Sequence, residues 1–107
     1  MDAAQGRCWL TWTGQGELIA VTQLLRSGDE GLYDLGVLVV DSWQGVGLGG
    51  ALTVLAIEEG IGWPGCTGIT AMTSVSNSRM LRILARHGAR LHDREGSTIS
   101  ATISLGL

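Results

Sequence analysis

The most constraining feature of this chain is DSWQGVGLGGAL, Asp41 to Leu52, in which Gly45, Gly47, Gly49 and Gly50 crowd one junction. Ahead of it runs the apolar stretch LYDLGVLVV, Leu32 to Val40. Behind it, Leu48, Ala51, Leu52, Leu55 and Ala56 recur at helical spacing, which predicts a helix that stops near Gly60. Strand, glycine turn and helix in that order make an anion site. Glycines lack a Cβ, so their amides approach a ligand closely. The first N–H groups of the helix have no intrahelical partners, and the positive end of its dipole lies there. A bound diphosphate is the expected occupant; the alternative is a turn that only packs the helix tightly on its sheet.

Gly45, Gly47 and Gly50 also match G-x-G-x-x-G, the fingerprint of a dinucleotide-binding Rossmann unit. The surroundings exclude that reading. The acid that would bind a ribose about 20 residues on is missing, since no Asp or Glu lies between Gly60 and His92. No G-K-[ST] follows the glycines, which removes a P-loop as well.

The rest of the chain reads as one continuous domain over residues 1–107. Candidate strands are Trp9–Thr13, Leu18–Arg26, Leu32–Val40, Thr67–Ser74 and Thr98–Leu105, the second and third forming an antiparallel hairpin across the polar turn SGDEG. Asn77 opens a second helix with Met80, Leu81, Leu84 and Ala85 on its buried side, ending at His87-Gly88. The net charge of −3 argues against a nucleic-acid or anionic-membrane surface and permits a cationic acceptor. No run approaches a membrane span, and MDAAQGR lacks signal-peptide character, so a cytoplasmic protein is expected. Cys8 and Cys66 are expected to be reduced packing residues. Met72 and Met80 read as core fillers. His87 and His92 have no ligand-spaced neighbours, so no metal site is expected.

With these residues in place, LGVLVVDSWQGVGLGGALTVLAIEEG resembles the acetyl-CoA-binding motif of the GNAT superfamily of N-acetyltransferases. Gln44-Gly45-Val46-Gly47-Leu48-Gly49 matches that family's [Q/R]-x-x-G-x-[G/A] pattern, and SNSRMLRILARHGARL resembles its second cofactor segment. YDLGVLVVDSWQG is most similar to the bacterial protein-lysine acetyltransferase branch. The resemblance implies an α/β (α+β) fold: a mixed, mostly antiparallel sheet with a splayed central strand pair and two main helices, lacking the family's usual N-terminal strand and helices.

It also implies roles. Backbone groups of Leu38, Val39 and Val40 would bind the pantetheine arm as an extra strand, and an N–H near Leu38 would stabilise the thioester oxyanion. Gln44, Gly45, Val46, Gly47, Leu48, Gly49, Gly50 and Ala51 would hold the diphosphate. Asn77, with Met80 after it, would contact the cofactor from the other side, and a plain helix N-cap explains Asn77 equally. Asp34 stands where the branch has a glutamate, as general base through a water or as a solvated residue at a strand entrance. Asp29 and Glu30 keep the turn soluble or attract a cationic acceptor. Arg79, Arg82 and Arg86 form a solvated helix face or approach the phosphates.

Two departures stand out. Leu84 occupies the position where many relatives place a tyrosine acid, so solvent would protonate the leaving thiolate. Little chain precedes Trp9, so the acceptor side is either open or completed by a second copy covering Trp9 and Trp12. The expectation is acetyl transfer from acetyl-CoA to a primary amine, taken as a protein lysine. Its alternatives are a coenzyme A-binding module without transferase activity and a partner-binding domain with a vestigial loop.

Overall fold

The structure is a computed structural model that describes residues 6–28 and 31–105. Asp29 and Glu30 lie outside the described residues. The elements are β1 (Gly6–Trp12), β2 (Leu18–Arg26), β3 (Leu32–Val39), α1 (Leu48–Ile61), β4 (Gly68–Ser74), α2 (Ser78–Arg86), β5 (Arg90–Glu95) and β6 (Thr98–Ser104).

Alternation along the strands sorts the sheet into two unlike faces. Leu24, Tyr33, Leu35, Ile69, Ala71, Ala101 and Ile103 turn to one side, where Ala56 and Ile57 of α1 and Leu84 of α2 complete the core. The helix-free side carries Leu38 and Met72, which are 72% and 70% exposed. Met72 is therefore no core filler, because its place in the alternation of β4 points it away from the helices. Trp9 packs against the core while Trp12 is exposed. Cys66 packs against the core as expected, but Cys8 is exposed.

The six strands run in the order β1-β2-β3-β4-β6-β5. All neighbours are antiparallel except β3 and β4, which are parallel and meet only from Leu32↔Gly68 to Leu35↔Ala71. Beyond that pair the two central strands part, as the family resemblance implied.

Both helices bury a stripe that only partly overlaps the one their spacing suggested, with Ala56, Leu84 and Met80 on the core side as expected. In α1 the buried residues are Thr53, Ala56, Ile57 and Gly60, and Leu55 is 51% exposed. A Cβ on Gly60 would stand 2.6 Å from Leu24 Cδ2, so this glycine lets helix and sheet close up. The helix is apolar nearly all round, and periodicity alone could not choose its inner face. In α2, Ile83 and Leu84 are buried and Ala85 is exposed. Strand β5 (RLHDRE) had no apolar alternation to betray it; it forms by pairing with β6 across the turn at Gly96.

Candidate active site

The parting of β3 and β4 leaves main-chain groups without partners, and the hydrogen-bond phase identifies them. Ser27 N–H donates to Leu32 O at 2.8 Å and Val40 N–H donates to Ile19 O at 2.9 Å. In an antiparallel ladder this alternation turns the even-numbered residues of β3 toward β2 and the odd-numbered ones toward β4. Val37 and Val39 thus present N–H groups to the gap. Leu38 and Val40 do not: Leu38 faces Val21 across the ladder, and the Val40 amide is already engaged. The donors expected near Leu38 therefore sit one residue to either side of it.

The glycine loop follows at once. A short 3-10 turn, Asp41–Trp43, leads into Gly45 and Gly47, whose φ angles of 80° and 87° are left-handed. That region is costly for any residue with a Cβ. Gln44 braces the loop, its Nε2 donating to Val39 O at 2.9 Å and to Asp41 Oδ1 at 3.3 Å. Gly47 is the N-cap of α1, so no side chain caps the helix, and its first turn contains no acidic residue. The first intrahelical bond is Ala51 N–H to Gly47 O at 3.1 Å. The amides of Leu48, Gly49 and Gly50 therefore open to the outside, whereas the Ala51 amide is already engaged.

Loop, strand and second helix enclose a cleft of about 420 Å³. It is lined by Val37 and Val39 from β3, by Gln44, Gly45, Gly47, Gly49 and Gly50, and by Asn77, Arg79 and Met80 from the start of α2. Most of the residues singled out from sequence meet here. Leu38 and Val40 do not line it, Val46 points outward at 66% exposure, and Leu48 and Ala51 are absent from its wall. Asn77 lines the cleft, and its Oδ1 accepts the Met80 N–H at 3.2 Å as the expected helix cap. Met80 is half-buried, with Thr53 Oγ1 donating to its Sδ at 3.7 Å.

Sequence reasoning missed Val37 and left Arg79 undecided among the three arginines of α2. Arg79 alone of those reaches the cleft. Its place two residues after the capping Asn77, on the turn facing the glycines, was the available signal.

A second, smaller cavity of about 260 Å³ opens where the paired part of β3 and β4 ends. It is lined by Asp34, Leu35, Thr70, Ala71, Met72 and Ser100. The side chains of Asp34, Thr70 and Met72 belong to the helix-free face, so the two cavities flank the parting strands from opposite sides. Leu84 is only 1% exposed within the core, and Tyr33 is buried edge-on to Trp63 at 5.1 Å between ring centroids. Neither sits on a cavity wall. His87 Nδ1 meets Ile83 O at 2.9 Å at the end of α2. Burial pushes the Cys66 thiol up from its ordinary value, with a smaller opposing contribution from its hydrogen bond to Gly68.

A model of the acetyltransferase (GNAT) family matches residues 1–89. The chain belongs to the GNAT family. It is thus an N-acetyltransferase by family, with acetyl-CoA as acyl donor and amines as acceptors. No curated protein matches it. Among solved structures it is similar to a Bacillus subtilis acetyltransferase in complex with CoA, at 22% identity and a TM-score of 0.71 over 96% of this chain and 79% of that one. A spermidine N-acetyltransferase mutant from Vibrio cholerae is 16% identical, with a TM-score of 0.71 over 97% of this chain and 68% of that one. A cAMP-binding acyltransferase from Mycobacterium smegmatis is 22% identical, with a TM-score of 0.72; the match covers 99% of this chain and 33% of that larger protein. At these identities the likenesses establish the fold, a mixed sheet with two helices. Among the described residues no helix is long and apolar enough to cross a membrane.

Proposed function

We propose that this GNAT chain acetylates a lysine side chain of another protein by direct attack of the amine on acetyl-CoA. The observation that carries this reading is the continuity of one cleft from the unpaired Val37 and Val39 amides to the uncapped start of α1. A pantetheine arm lies along the first as a surrogate strand, and the diphosphate rests on the second. The guanidinium of Arg79 supplies the one side-chain cation on the cleft wall.

Val37 N–H, nearest the point where the strands part, donates to the thioester oxygen as it becomes an oxyanion. The acceptor enters from the helix-free side, where Asp34 lines the smaller cavity. Lysine is protonated at neutral pH, with a reference pKa of about 10.4. Asp34 draws in the ammonium and takes its proton through a water, the route that a separation of about 10 Å along three strand residues requires. The thiolate is protonated by solvent. All seven Lys/Arg positions in these 107 residues are arginine, so they offer no acceptor lysine of their own.

Titration calorimetry with acetyl-CoA, followed by thiol release with a lysine peptide, with spermidine and with no amine, tests the proposal. Binding with release dependent on the lysine peptide supports it. Release with spermidine alone moves the acceptor to polyamines. Binding without release by any amine leaves a coenzyme A-binding module, a reading that the buried Leu84 favours. No binding at all rejects the cofactor assignment.

A further inference from the structure

Acylating an ammonium removes two protons from nitrogen. One leaves before the lone pair attacks, and the second leaves as the tetrahedral adduct collapses. Asp34 accounts for one outlet. On the helix-free face a second polar path starts in the same cavity and runs across three strands.

Thr70 on β4 stands directly across from Asp34 in register and lines the cavity with it. Thr102 Oγ1 donates to Thr70 Oγ1 at 3.1 Å, and Thr70 Oγ1 donates to Ala101 O at 3.3 Å. His92 Nε2 lies 2.6 Å from Thr102 Oγ1, and His92 Nδ1 lies 2.8 Å from Asp93 Oδ2. The backbone is bent to make the last contact. Pairing of β5 with β6 slips between His92 and Glu95, and Asp93 has a φ of 52°, the only non-glycine residue with positive φ among those described. A bulge that re-aims a side chain and a residue held in a sparsely populated conformation are features that cluster at functional sites. Here together they set a carboxylate against the outer nitrogen of an imidazole.

We infer that Thr70, Thr102 and His92, backed by Asp93, form a proton path that drains the acceptor nitrogen from the cavity to the outer strand. The inference rests on the acetyl-transfer reading and adds an outlet to it. Before transfer the Thr70 hydroxyl donates to Thr102, and Thr102 donates to the neutral Nε2. As the C–N bond forms and the C–S bond breaks, the nitrogen's proton passes through a water to Thr70 Oγ1, which lies as far along the sheet from Val37 as its register partner Asp34. The Thr70 proton then moves to Thr102, and the Thr102 proton to His92. The imidazolium faces Asp93 and releases its proton to water through a ring that is one-quarter exposed. The coenzyme A thiolate takes one proton from solvent, so each turnover releases one proton net. The charged groups around His92 are few. β4 and β6 contribute no titratable side chain, β3 contributes Asp34, and β5 itself carries Arg90, Asp93, Arg94 and Glu95.

The test compares the unaltered chain with His92→Gln, Thr102→Val and Thr102→Ser, recording kcat/KM against pH with a lysine peptide and the Kd for acetyl-CoA by titration. The expected result is an altered pH profile and a roughly 100-fold lower kcat for His92→Gln and Thr102→Val, the low end of acid–base contributions. Kd stays unchanged, and Thr102→Ser restores the profile because it restores the hydroxyl. If both variants keep the unaltered profile and rate, the row is sheet packing and the path is overturned, while the acetyl-transfer reading stands. If the unaltered chain binds acetyl-CoA but acetylates no amine, both are overturned.

Discussion

The guanidinium of Arg79 reaches over the glycine loop, so that a methyl group placed on Gly47 would stand 3.9 Å from its Nη1. No ion pair among the described residues occupies Arg79. Replacing it with Gln removes a charge-assisted bond of about 1.5–3 kcal/mol. The Kd for acetyl-CoA should rise roughly 10- to 100-fold, and its salt dependence should weaken. Titrations at two ionic strengths check this. Arg82→Gln, outside the cleft, serves as the control.

Gly47→Ala tests the loop itself. A left-handed φ costs a residue with a Cβ about 1–2 kcal/mol, and relaxing that strain moves the amides at the start of α1. A fall in Tm of about 4–8 °C per kcal/mol is expected for a chain of this size, together with weaker acetyl-CoA binding. Melting curves with and without cofactor separate the two effects.

A pair of proline variants isolates the oxyanion donor. Val37 directs its N–H into the gap, so Val37→Pro leaves the β2–β3 ladder intact and removes the donor. A kcat loss of about 100- to 1,000-fold is expected, with the chain still folded. Leu38→Pro removes a ladder bond in the interior of the sheet and should prevent folding. Circular dichroism and turnover on both variants decide the matter; equal damage from both would refute the assignment of phase.

Asp34→Asn keeps the shape of the side chain and removes its charge. A drop in kcat of about 100-fold with unchanged Kd for acetyl-CoA is expected for a general base. Steady-state kinetics beside titration read both quantities.

The thiols should separate by pH. Only the thiolate reacts with alkylating agents, and burial raises the Cys66 value. Cys8, exposed on β1, should be labelled first by iodoacetamide, with Cys66 following only at higher pH, as mass spectrometry of peptides would show. A thiol held protonated by the fold stabilises it below the ordinary thiol range. That contribution is lost as pH rises through the raised value, so Cys66→Ala should flatten the decline in stability on the alkaline side.

The glycine loop and its helix were legible because composition and order alone define them: four glycines, Gly45, Gly47, Gly49 and Gly50, between a strand and a helix mark a tight junction whether it cradles an anion or only packs the helix. Asn77 was legible as a cap for the same local reason. The inner face of α1 was not, since Leu55 outside and Thr53 inside obey the needs of the sheet beneath rather than any hydrophobic ranking. Strand β5 was hidden because Arg90–Glu95 is polar throughout and owes its conformation to β6. The phase of the β3 ladder was hidden too, and with it the choice of Val37 over Leu38. Hydrogen-bond phase belongs to a pair of strands and is written in neither one alone.

The four-residue contact between β3 and β4 divides the sheet into two antiparallel blocks, β1-β2-β3 and β4-β6-β5, joined along a short seam. In the proposed complex the pantetheine arm fills the opening beyond Leu35 and Ala71 and knits those blocks together with main-chain bonds, which makes the acyl donor a structural member as well as a reactant. Without it, amide hydrogen exchange should start at this seam and spread outward into both blocks.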